Sequence, residues 1–402
     1  MLQLTADNSA SATKFFAMKI REVKSEWDKK DFLLLPMEIY KNEPNWIRPL
    51  DKDIEEIFNP DKNKFFKHGQ ATRWLLEDDS GKIIGRIAAF INERTSKKEN
   101  QPTGGIGFFE CTNNKVAANL LFETGKAWLA EQGMEAMDGP INFGERDSWW
   151  GLIVEGFHPP QYKMNYNLPY YQTLFENYGF QTYFNQLCYG LDPMKRVQDK
   201  FYERHEVISK TSGYRADYLR TKNLDKYAED FRTVYNLAWA KHGGGKALDS
   251  KQVRLFFKKM KPVIDEKIIW FVYYKDEPVA MWINLPDINQ LFRKFNGRFG
   301  LLEKIRFILM LKQRKIHKFI GLVFGIVPEH QGKGVDSYMI VEGANLIQKE
   351  KLYLEYEMQW IGDFNPKMLS IAENLGTIRT RTLRTYRYLF DRSKTFERHP
   401  FL

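Results

Sequence analysis

Cysteine is scarce in this 402-residue sequence, with Cys111 and Cys188 as its only two examples. Two cysteines cannot form the disulfide framework of a small secreted domain, and they are too few for a cysteine-based zinc site. The seven histidines include no pair four residues apart and no cluster with acids at the spacing of metal ligands. The sequence therefore predicts no metal site and fits a reducing cytoplasm.

Long apolar segments are also missing. No stretch approaches the ~18–20 uninterrupted apolar residues that a membrane-spanning helix needs. Residues 1–14 are rich in Ser, Ala, Thr and Asn and lack the cationic start and apolar block of a secretion signal. We therefore expect a disordered tail over residues 1–14 and a cytoplasmic protein.

Positive charge is abundant and unevenly placed. The formal net charge is +10, and residues 291–318 contain nine basic residues against one acid, Glu303. A local basic segment predicts an anionic partner near that segment more than a generally adhesive surface.

The length of the chain is typical of two domains of roughly 150–200 residues each.

The two halves of the chain show the same order of predicted strands and helices. Each half ends with a helix that stops at a glycine, Gly179 or Gly376, and then continues as strand-like sequence. This order predicts a duplicated α/β fold with a mixed sheet. We expect domains at residues 15–193 and 214–402, joined by a linker helix at residues 194–213.

One glycine-rich motif lies between a predicted strand and a predicted helix. Gly332 and Gly334 allow successive backbone N–H groups to turn toward one point, and the helix N-terminus adds partial positive charge. The motif therefore predicts a phosphate cradle, although its spacing matches neither a Walker loop nor a dinucleotide fingerprint. The candidate cofactor-binding residues are Gly325, Ile326, Val327, Gln331, Gly332, Lys333, Gly334, Val335 and Asp336.

The order strand, Pro-x-x-Gln-Gly-Lys-Gly, helix, acidic strand and Asn365 resembles the acyl-CoA-binding pattern of the Gcn5-related N-acetyltransferase (GNAT) superfamily. The family signature is Gln or Arg, two residues, Gly, one residue, then Gly or Ala. Gln331 and Gly334 match it, but the last position is Asp336. An aspartate there repels a phosphate if it points toward it, and supports the helix start if it points away. The resemblance implies acyl-CoA, such as acetyl-CoA, as co-substrate.

The whole chain is similar to a group of bacterial tandem GNAT-like proteins. The first half resembles the same fold without its cofactor loop, because residues 111–115 read Cys-Thr-Asn-Asn-Lys where glycines are expected. This departure implies that the first half has lost CoA binding. The Gly- and Pro-rich residues 139–160 either line an acceptor groove that faces the second half or form a structural loop.

The resemblance implies that an amine attacks a bound thioester, so a base must deprotonate the amine. Glu355 and Glu357 are the candidates, since carboxylates two residues apart share one face of a strand. The alternative is that both are paired to the arginines of residues 379–387.

The family's usual acid is a tyrosine, which would protonate the departing thiolate, but Ala372 stands at its position. Tyr386, Tyr388 or water then remain as substitutes. The resemblance also gives Asn365 a role in holding the pantetheine, with capping of the following helix as the alternative.

The basic segment has three competing interpretations. Leu301, Ile305, Ile308, Leu309 and Ile316 fall on one helical arc. In the first, the segment is an inter-domain helix whose apolar arc packs on the other half. In the second, it is a contact for phosphate or for an acyl carrier. In the third, it is a surface helix that rests on anionic lipid.

The leading functional prediction is N-acyl transfer from acyl-CoA to an amine, with CoA in the second half and the acceptor between the halves. One alternative is a long-chain N-acyltransferase that acts on a lipid or sphingoid amine, peripheral to the inner membrane face. Another is a non-catalytic ligand- or nucleic-acid-binding protein. The aromatic residues follow core periodicity more than they interleave with the basic segment, which argues against nucleic acid.

Overall fold

One mixed sheet of fourteen strands runs through the computed structural model, which describes residues 18–96, 101–240 and 247–401. The predicted tail at residues 1–14 lies outside the described residues. The strands are β1 (Lys19–Glu22), β2 (Gly69–Glu77), β3 (Ile83–Asn92), β4 (Thr103–Cys111), β5 (Ala136–Gly139), β6 (Leu152–Glu155), β7 (Gln181–Leu191), β8 (Tyr214–Tyr218), β9 (Trp270–Tyr274), β10 (Glu277–Pro286), β11 (Lys318–Ile326), β12 (Glu355–Met358), β13 (Ile361–Gly362) and β14 (Ile378–Leu389).

Helices precede, follow and connect these strands. In the described part of the chain they are α1 (Glu26–Ile39), α2 (Asp51–Ile57), α3 (Glu93–Ser96), α4 (Lys115–Glu131), α5 (Tyr170–Tyr178), α6 (Asp199–Ser209), α7 (Leu224–Tyr235), α8 (Ser250–Met260), α9 (Asn289–Phe292), α10 (Leu301–Lys312), α11 (Val335–Glu350) and α12 (Pro366–Asn374). None of these helices combines the length and apolar character needed to cross a bilayer.

The strand order confirms the predicted α/β class with a mixed sheet. Hydrogen-bonded neighbours follow the path β1-β2-β3-β4-β5-β14-β7-β12-β11-β10-β9-β8, while β13 pairs with β7 and β6 with β14. The pairs β4–β5 and β11–β12 are parallel, and the other pairs are antiparallel. A parallel pair needs a crossover connection, which α4 supplies in the first half and α11 in the second.

The two halves exchange a strand. β14, from the second half of the chain, pairs with β5 of the first half through Tyr386 and Gly139. β7, from the first half, pairs with β12 of the second half through Leu191 and Tyr356. The division at residues 194–213 therefore remains a prediction about the chain, while the sheet continues across it.

The crossover helices α4 and α11 pack in the same way in the two halves. α4 buries Leu121 and Phe122 against its sheet, and α11 buries Met339 and Ile347. Fully burying a side chain of this size contributes about 1.5–3 kcal/mol, so these faces fix both helices on the sheet.

The linker helix is shorter than predicted and packs beside the second half. α6 begins at Asp199, and its Phe201 joins a cluster with Ile340 of α11. This contact places α6 along the helix that follows the glycine-rich motif.

Helix α10 buries a different face from the apolar arc that one of the three interpretations places inward. Phe307 and Met310 are buried, whereas Leu301, Ile305 and Leu309 of the predicted inward arc are 75%, 50% and 52% exposed. The first of the three interpretations, in which the whole arc packs on the other half, therefore does not fit these three residues, although Ile316 of the same arc is buried. The helix is apolar on two faces, and stacking between Phe307 and its neighbours decides which one turns inward.

Candidate functional site

The glycine-rich motif forms a turn that leads from β11 into α11. A 3-10 turn at Pro328–His330 follows the strand, and then Gly332 and Gly334 adopt φ values of +73° and +87°. These left-handed conformations are readily available only to glycine. Gly334 is the N-cap residue of α11 and has no side chain to bind the first N–H groups of the helix. Those groups and the helix dipole favour an anion.

A large cavity lies beside this turn. It has a volume of about 810 Å³, and we call it the loop cavity. Seven of the nine predicted cofactor residues line it: Gly325, Ile326, Gln331, Gly332, Lys333, Gly334 and Asp336. The other two, Val327 and Val335, are 3% and 0% exposed and belong to hydrophobic clusters, so they anchor the turn on the core.

Two cations of the loop cavity come from segments outside the glycine-rich motif. Arg204 of α6 and Lys367 of α12 line the cavity together with Lys333. Neither carries a local sequence signal, because each is brought to the cavity by packing of a distant helix. Asp336 lines the same cavity, so three cations and one carboxylate surround the space where an anion would bind.

A second cavity, of about 420 Å³, lies where β11 and β12 separate. The two strands pair only from Lys318–Glu355 to Gly321–Met358. Beyond Gly321, no described strand pairs with this edge of β11, so its backbone groups remain available. We call this second space the apolar cavity because most of its lining is hydrophobic. Its lining includes Trp282, Phe319, Val323, Ile340, Met358 and Phe364.

The loop cavity and the apolar cavity adjoin each other. Phe324, Asn365, Met368 and Ile371 line both of them. A molecule bound at the glycine turn can therefore extend along β11 into the apolar space. The combined shape suits a ligand with an anionic end and an apolar end.

Ala372 contributes to the size of the apolar cavity. It stands where the family resemblance expects a tyrosine, is 1% exposed and lines the cavity. The missing ring leaves volume beside the strand gap. Tyr386 and Tyr388, the predicted substitutes for this tyrosine, lie instead in the main hydrophobic cluster of the first half. The Tyr386 hydroxyl donates to Glu176 at 2.9 Å, so it is engaged elsewhere.

Glu357 is held in a buried ion-pair cluster. Its carboxylate is bonded by Arg381, with Nε at 2.8 Å and Nη2 at 3.2 Å, and it also contacts the Lys318 ammonium. Burial alone would raise the pKa of Glu357, but the charges of Arg381 and Lys318 outweigh it and hold the pKa at about 2. Such a carboxylate accepts protons poorly at neutral pH.

The two candidate base residues do not share an environment. Glu355 is exposed, whereas Glu357 is 1% exposed, and neither is among the residues that line the two cavities. The alternative to a role as base is pairing with the arginines of residues 379–387, and Glu357 is indeed paired with Arg381. The expectation that both carboxylates lie beside an acyl group finds no support in this arrangement.

Asn365 caps a helix and also lies in the wall of both cavities. Its side chain accepts a hydrogen bond from the Met368 backbone N–H at 3.2 Å, which caps α12. The same residue lines both the loop cavity and the apolar cavity. Asn365 thus fixes the start of a helix whose inner face forms a wall of the site.

Residues of the Gly- and Pro-rich segment reach the far end of the apolar cavity. Arg146 and Asp147 line that cavity and also a narrow crevice that adjoins it. Gln161 lines the crevice opposite Trp360 of the second half. It is 1% exposed, and its amide oxygen and nitrogen have no hydrogen-bond partner among the described residues. An unsatisfied buried polar group costs about 1–3 kcal/mol, but the crevice has a volume of only about 10 Å³ and admits no group larger than a water molecule or a hydroxyl.

The corresponding turn in the first half is closed. Asn114 precedes α4, and its side-chain oxygen accepts hydrogen bonds from the N–H groups of Val116 and Ala117 at 2.9 and 3.1 Å. The side chain therefore occupies the helix N-terminus that Gly334 leaves open in the second half. The loss of CoA binding from the first half stays a prediction.

No protein-family model matches the chain. Among curated proteins, it is similar to the bacterial ceramide synthase of Caulobacter vibrioides, with 25% identity over 378 residues, which cover 92% of this chain and 97% of that protein. It is also similar to protein YghO of Escherichia coli, with 23% identity over 382 residues, 91% of this chain and 94% of that protein.

Two solved structures share the fold. One is the GCN5-related glucosamine N-acetyltransferase region of a fungal multi-domain GH3 beta-N-acetylglucosaminidase, with a TM-score of 0.53 and 12% identity over 96% of this chain and 40% of that one. The other is a tandem GNAT protein from the clavulanic acid biosynthesis pathway, with a TM-score of 0.52 and 10% identity over 94% of this chain and 100% of that one. At this level of identity the likeness establishes the fold alone, which this chain shares with these GNAT proteins.

Proposed function

We propose that the protein transfers a long acyl chain from an acyl-CoA thioester to the amino group of a lipid. The observation that carries this proposal is the apolar cavity of about 420 Å³, which opens between β11 and β12 and adjoins the loop cavity. A volume of this size lies within the roughly 300–1,000 Å³ of typical ligand sites. The pantetheine arm would share the part of this cavity along β11, and an acetyl group is much smaller than the whole volume.

The loop cavity would hold the phosphates of CoA. The first N–H groups of α11 have no side-chain cap at Gly334, and Arg204 and Lys367 add positive charge from two other helices. The unpaired edge of β11 beyond Gly321 supplies backbone donors and acceptors that suit the amides of the pantetheine arm, as in strand addition. Asp336 weakens phosphate binding, and the surrounding cations offset it.

The apolar cavity would hold the acyl chain. Each methylene group removed from water contributes about 0.8 kcal/mol, so a chain that fills the cavity gains affinity with every carbon it buries. The alanine at position 372 adds to this space where a tyrosine would reduce it. The departure from the family pattern thus favours a longer acyl donor.

The acceptor amine would approach from the crevice end of the apolar cavity. Asp147 offers a carboxylate for an ammonium group, and the unpartnered amide of Gln161 offers a donor and an acceptor for a hydroxyl. In the reaction, the neutral amine attacks the thioester carbon, the C–N bond forms and the C–S bond breaks. The amide and the CoA thiolate are the products, and the thiolate gains the proton that the nitrogen loses.

The chemistry proposed here does not require a tyrosine acid. A thiol has a pKa of about 8.5, so a thiolate leaves readily near neutral pH. The amine can lose its proton to water, because Asp147 and Arg146 at this end of the cavity are exposed. The protein therefore acts chiefly by positioning the two substrates and excluding water from the acyl chain.

The similarity to a bacterial ceramide synthase agrees with a lipid amine as acceptor. A ceramide is the N-acyl derivative of a long-chain amino alcohol, and an amino alcohol presents the ammonium and hydroxyl groups that Asp147 and Gln161 suit. At 25% identity this likeness supports the acceptor class and leaves the donor to be tested by chain length.

The test is a series of CoA thioesters of increasing chain length, assayed for amide product by mass spectrometry with sphinganine as acceptor. Palmitoyl-CoA should give a kcat/KM at least tenfold above that of acetyl-CoA. Ala372→Phe should remove this preference by filling the cavity, with little change for acetyl-CoA. Ser370→Phe, which adds the same ring to the exposed side of α12, is the matched control and should behave as wild type. A preference for acetyl-CoA in the wild type would overturn the long-chain proposal.

A further inference from the structure

Helix α10 exposes a continuous apolar face. Leu301, Leu302, Ile305, Ile308 and Leu309 are 75%, 78%, 50%, 49% and 52% exposed. Their spacing of one, four, seven and eight residues from Leu301 places them on one side of a helix. We call these five residues the outer face. Soluble proteins rarely leave a contiguous apolar patch uncovered unless it binds a partner.

The outer face cannot turn inward, because the opposite side of α10 is fixed. Phe307 and Met310 are buried in the core of the second half. The Phe307 ring stacks on Phe292, with centroids 5.3 Å apart. Both sides of α10 are therefore apolar, and one of them is already used for packing.

Basic residues are concentrated in and next to the helix that carries the outer face. Of the nine in residues 291–318, eight are exposed, and the ninth, Lys318, is paired with Glu357. The one acid of the segment, Glu303, accepts a hydrogen bond from the Gly300 N–H at 2.9 Å and so caps the helix. The exposed basic residues are Arg293, Lys294, Arg298, Lys304, Arg306, Lys312, Arg314 and Lys315.

We propose that α10 docks on an anionic lipid bilayer with its outer face in the acyl-chain boundary. A bilayer matches both properties at once, because its headgroups bind the basic residues and its interior accepts five leucine and isoleucine side chains. An acidic protein such as an acyl carrier would satisfy the charges but leave the centre of the outer face without an apolar medium. The 12 residues of α10 span about 18 Å, so the helix lies in the interface and does not cross a core of about 30 Å.

Aromatic contacts link α10 to the crevice. Phe292, which stacks on Phe307, also contacts Tyr162, with ring centroids 5.1 Å apart, and Tyr162 lines the crevice. The docked helix would thus lie two ring contacts from the place proposed for the lipid amine. Docking itself does not depend on the proposed acyl transfer, and it can be measured without turnover.

Vesicle co-sedimentation of the full chain tests the proposal. The protein should sediment with vesicles of phosphatidylglycerol and phosphatidylcholine, bind pure phosphatidylcholine at least tenfold more weakly, and lose binding as salt is raised. Leu302→Gln with Ile305→Gln should reduce binding to the anionic vesicles at least tenfold, because glutamine retains helix propensity but removes the apolar contact.

Helix α8 supplies the matched control. It is also basic and exposes Leu255 and Phe256, which are 54% and 51% exposed. Leu255→Gln with Phe256→Gln should leave vesicle binding within twofold of wild type. Equal loss in the α8 and α10 variants, or no loss in the α10 variant, would overturn the assignment of α10.

Two further measurements separate docking from its alternatives. The α10 variant should retain wild-type turnover of a soluble CoA thioester with a water-soluble amine, so that failure of docking is distinguishable from failure of acyl transfer. Wild-type protein that ignores anionic vesicles but binds an acidic acyl-carrier protein through the same residues would overturn the bilayer as the occupant.

Discussion

The two halves of this protein differ most clearly at the start of a helix. α4 and α11 both follow the fourth strand of their half and both connect a parallel pair. The Asn114 side chain binds the first N–H groups of α4, whereas Gly334 leaves those of α11 free of any side-chain cap. A helix N-terminus can bind either its own cap or an external anion. The first half thus closes this helix N-terminus with its own side chain, while the second half leaves it without a side-chain cap.

The halves also treat a buried carboxylate in opposite ways. Glu110, on β4, accepts hydrogen bonds from the hydroxyls of Tyr40 and Tyr171, each at 2.7 Å, and burial raises its pKa. Glu357, on β12, is surrounded by Arg381 and Lys318, which lower its pKa to about 2 despite burial. The first half buries its carboxylate among neutral donors and one arginine, and the second half buries a complete ion-pair cluster.

The largest expected effect comes from neutralising these carboxylates one at a time. Glu357→Gln should lower the free energy of unfolding by about 3–5 kcal/mol at pH 7, because it leaves Arg381 and Lys318 buried without their counter-charge. Glu110→Gln should cost less, because it leaves one buried cation, Arg86, without its counter-charge, and the amide oxygen can still accept from a tyrosine hydroxyl. Urea unfolding of both variants measures the difference.

The pH dependence provides a second check on the same pair. The pKa of Glu357 is lower in the folded protein than in the unfolded chain, so its stabilising contribution is complete above about pH 4.3 and is lost as the pH falls toward 2. The deficit of Glu357→Gln should therefore shrink between pH 5 and pH 3. A deficit that stays constant over this range would show that Glu357 is not held as the structure indicates.

A smaller but still large effect is expected at the binding turn. Gly334→Asp should weaken CoA binding by about a hundredfold, since a side chain is strained at φ +87° and adds negative charge at the helix start. Isothermal titration with CoA measures this change. Gly81→Asp is the matched control in the first half, because Gly81 has φ +80° in open space. Equal loss in the two variants would place CoA binding outside the glycine turn.

The smallest effect tests whether the cap of the first half is only structural. Asn114→Ala should lower the free energy of unfolding by about 1 kcal/mol through loss of the cap. CoA affinity, measured by the same titration, should stay within twofold of wild type. A second CoA site appearing in this variant would mean that the cap is all that separates the two halves in function.

Local patterns in the sequence predicted the glycine turn well. The two glycines, the preceding strand and the following helix are neighbours in the chain, so spacing alone brought seven of nine predicted residues to one cavity. Val327 and Val335 share the motif but are buried in hydrophobic clusters, Val327 just after β11 and Val335 at the start of α11.

Features assembled from distant segments were not predictable from the sequence. Arg204 and Lys367 reach the loop cavity only because α6 and α12 pack there. Helix α10 shows another limit, since a helix that is apolar on two faces gives no periodic signal for the buried one. The ion-pair cluster of Glu357 was predicted only as an alternative, because it depends on a strand pairing that local sequence does not encode.

The exchange of β7 and β14 also bears on synthesis at the ribosome. Until β14 has been synthesised, one edge of β5 in the first half is unpaired. β7, the last strand of the first half, likewise has no partner until β12 and β14 of the second half have been made. Unpaired strand edges bind other chains readily, and domains usually complete folding in order of translation. Here the first half completes its sheet only after residues 378–389 have been made. Nascent protein should therefore depend on chaperones for longer than two independent domains of the same size would.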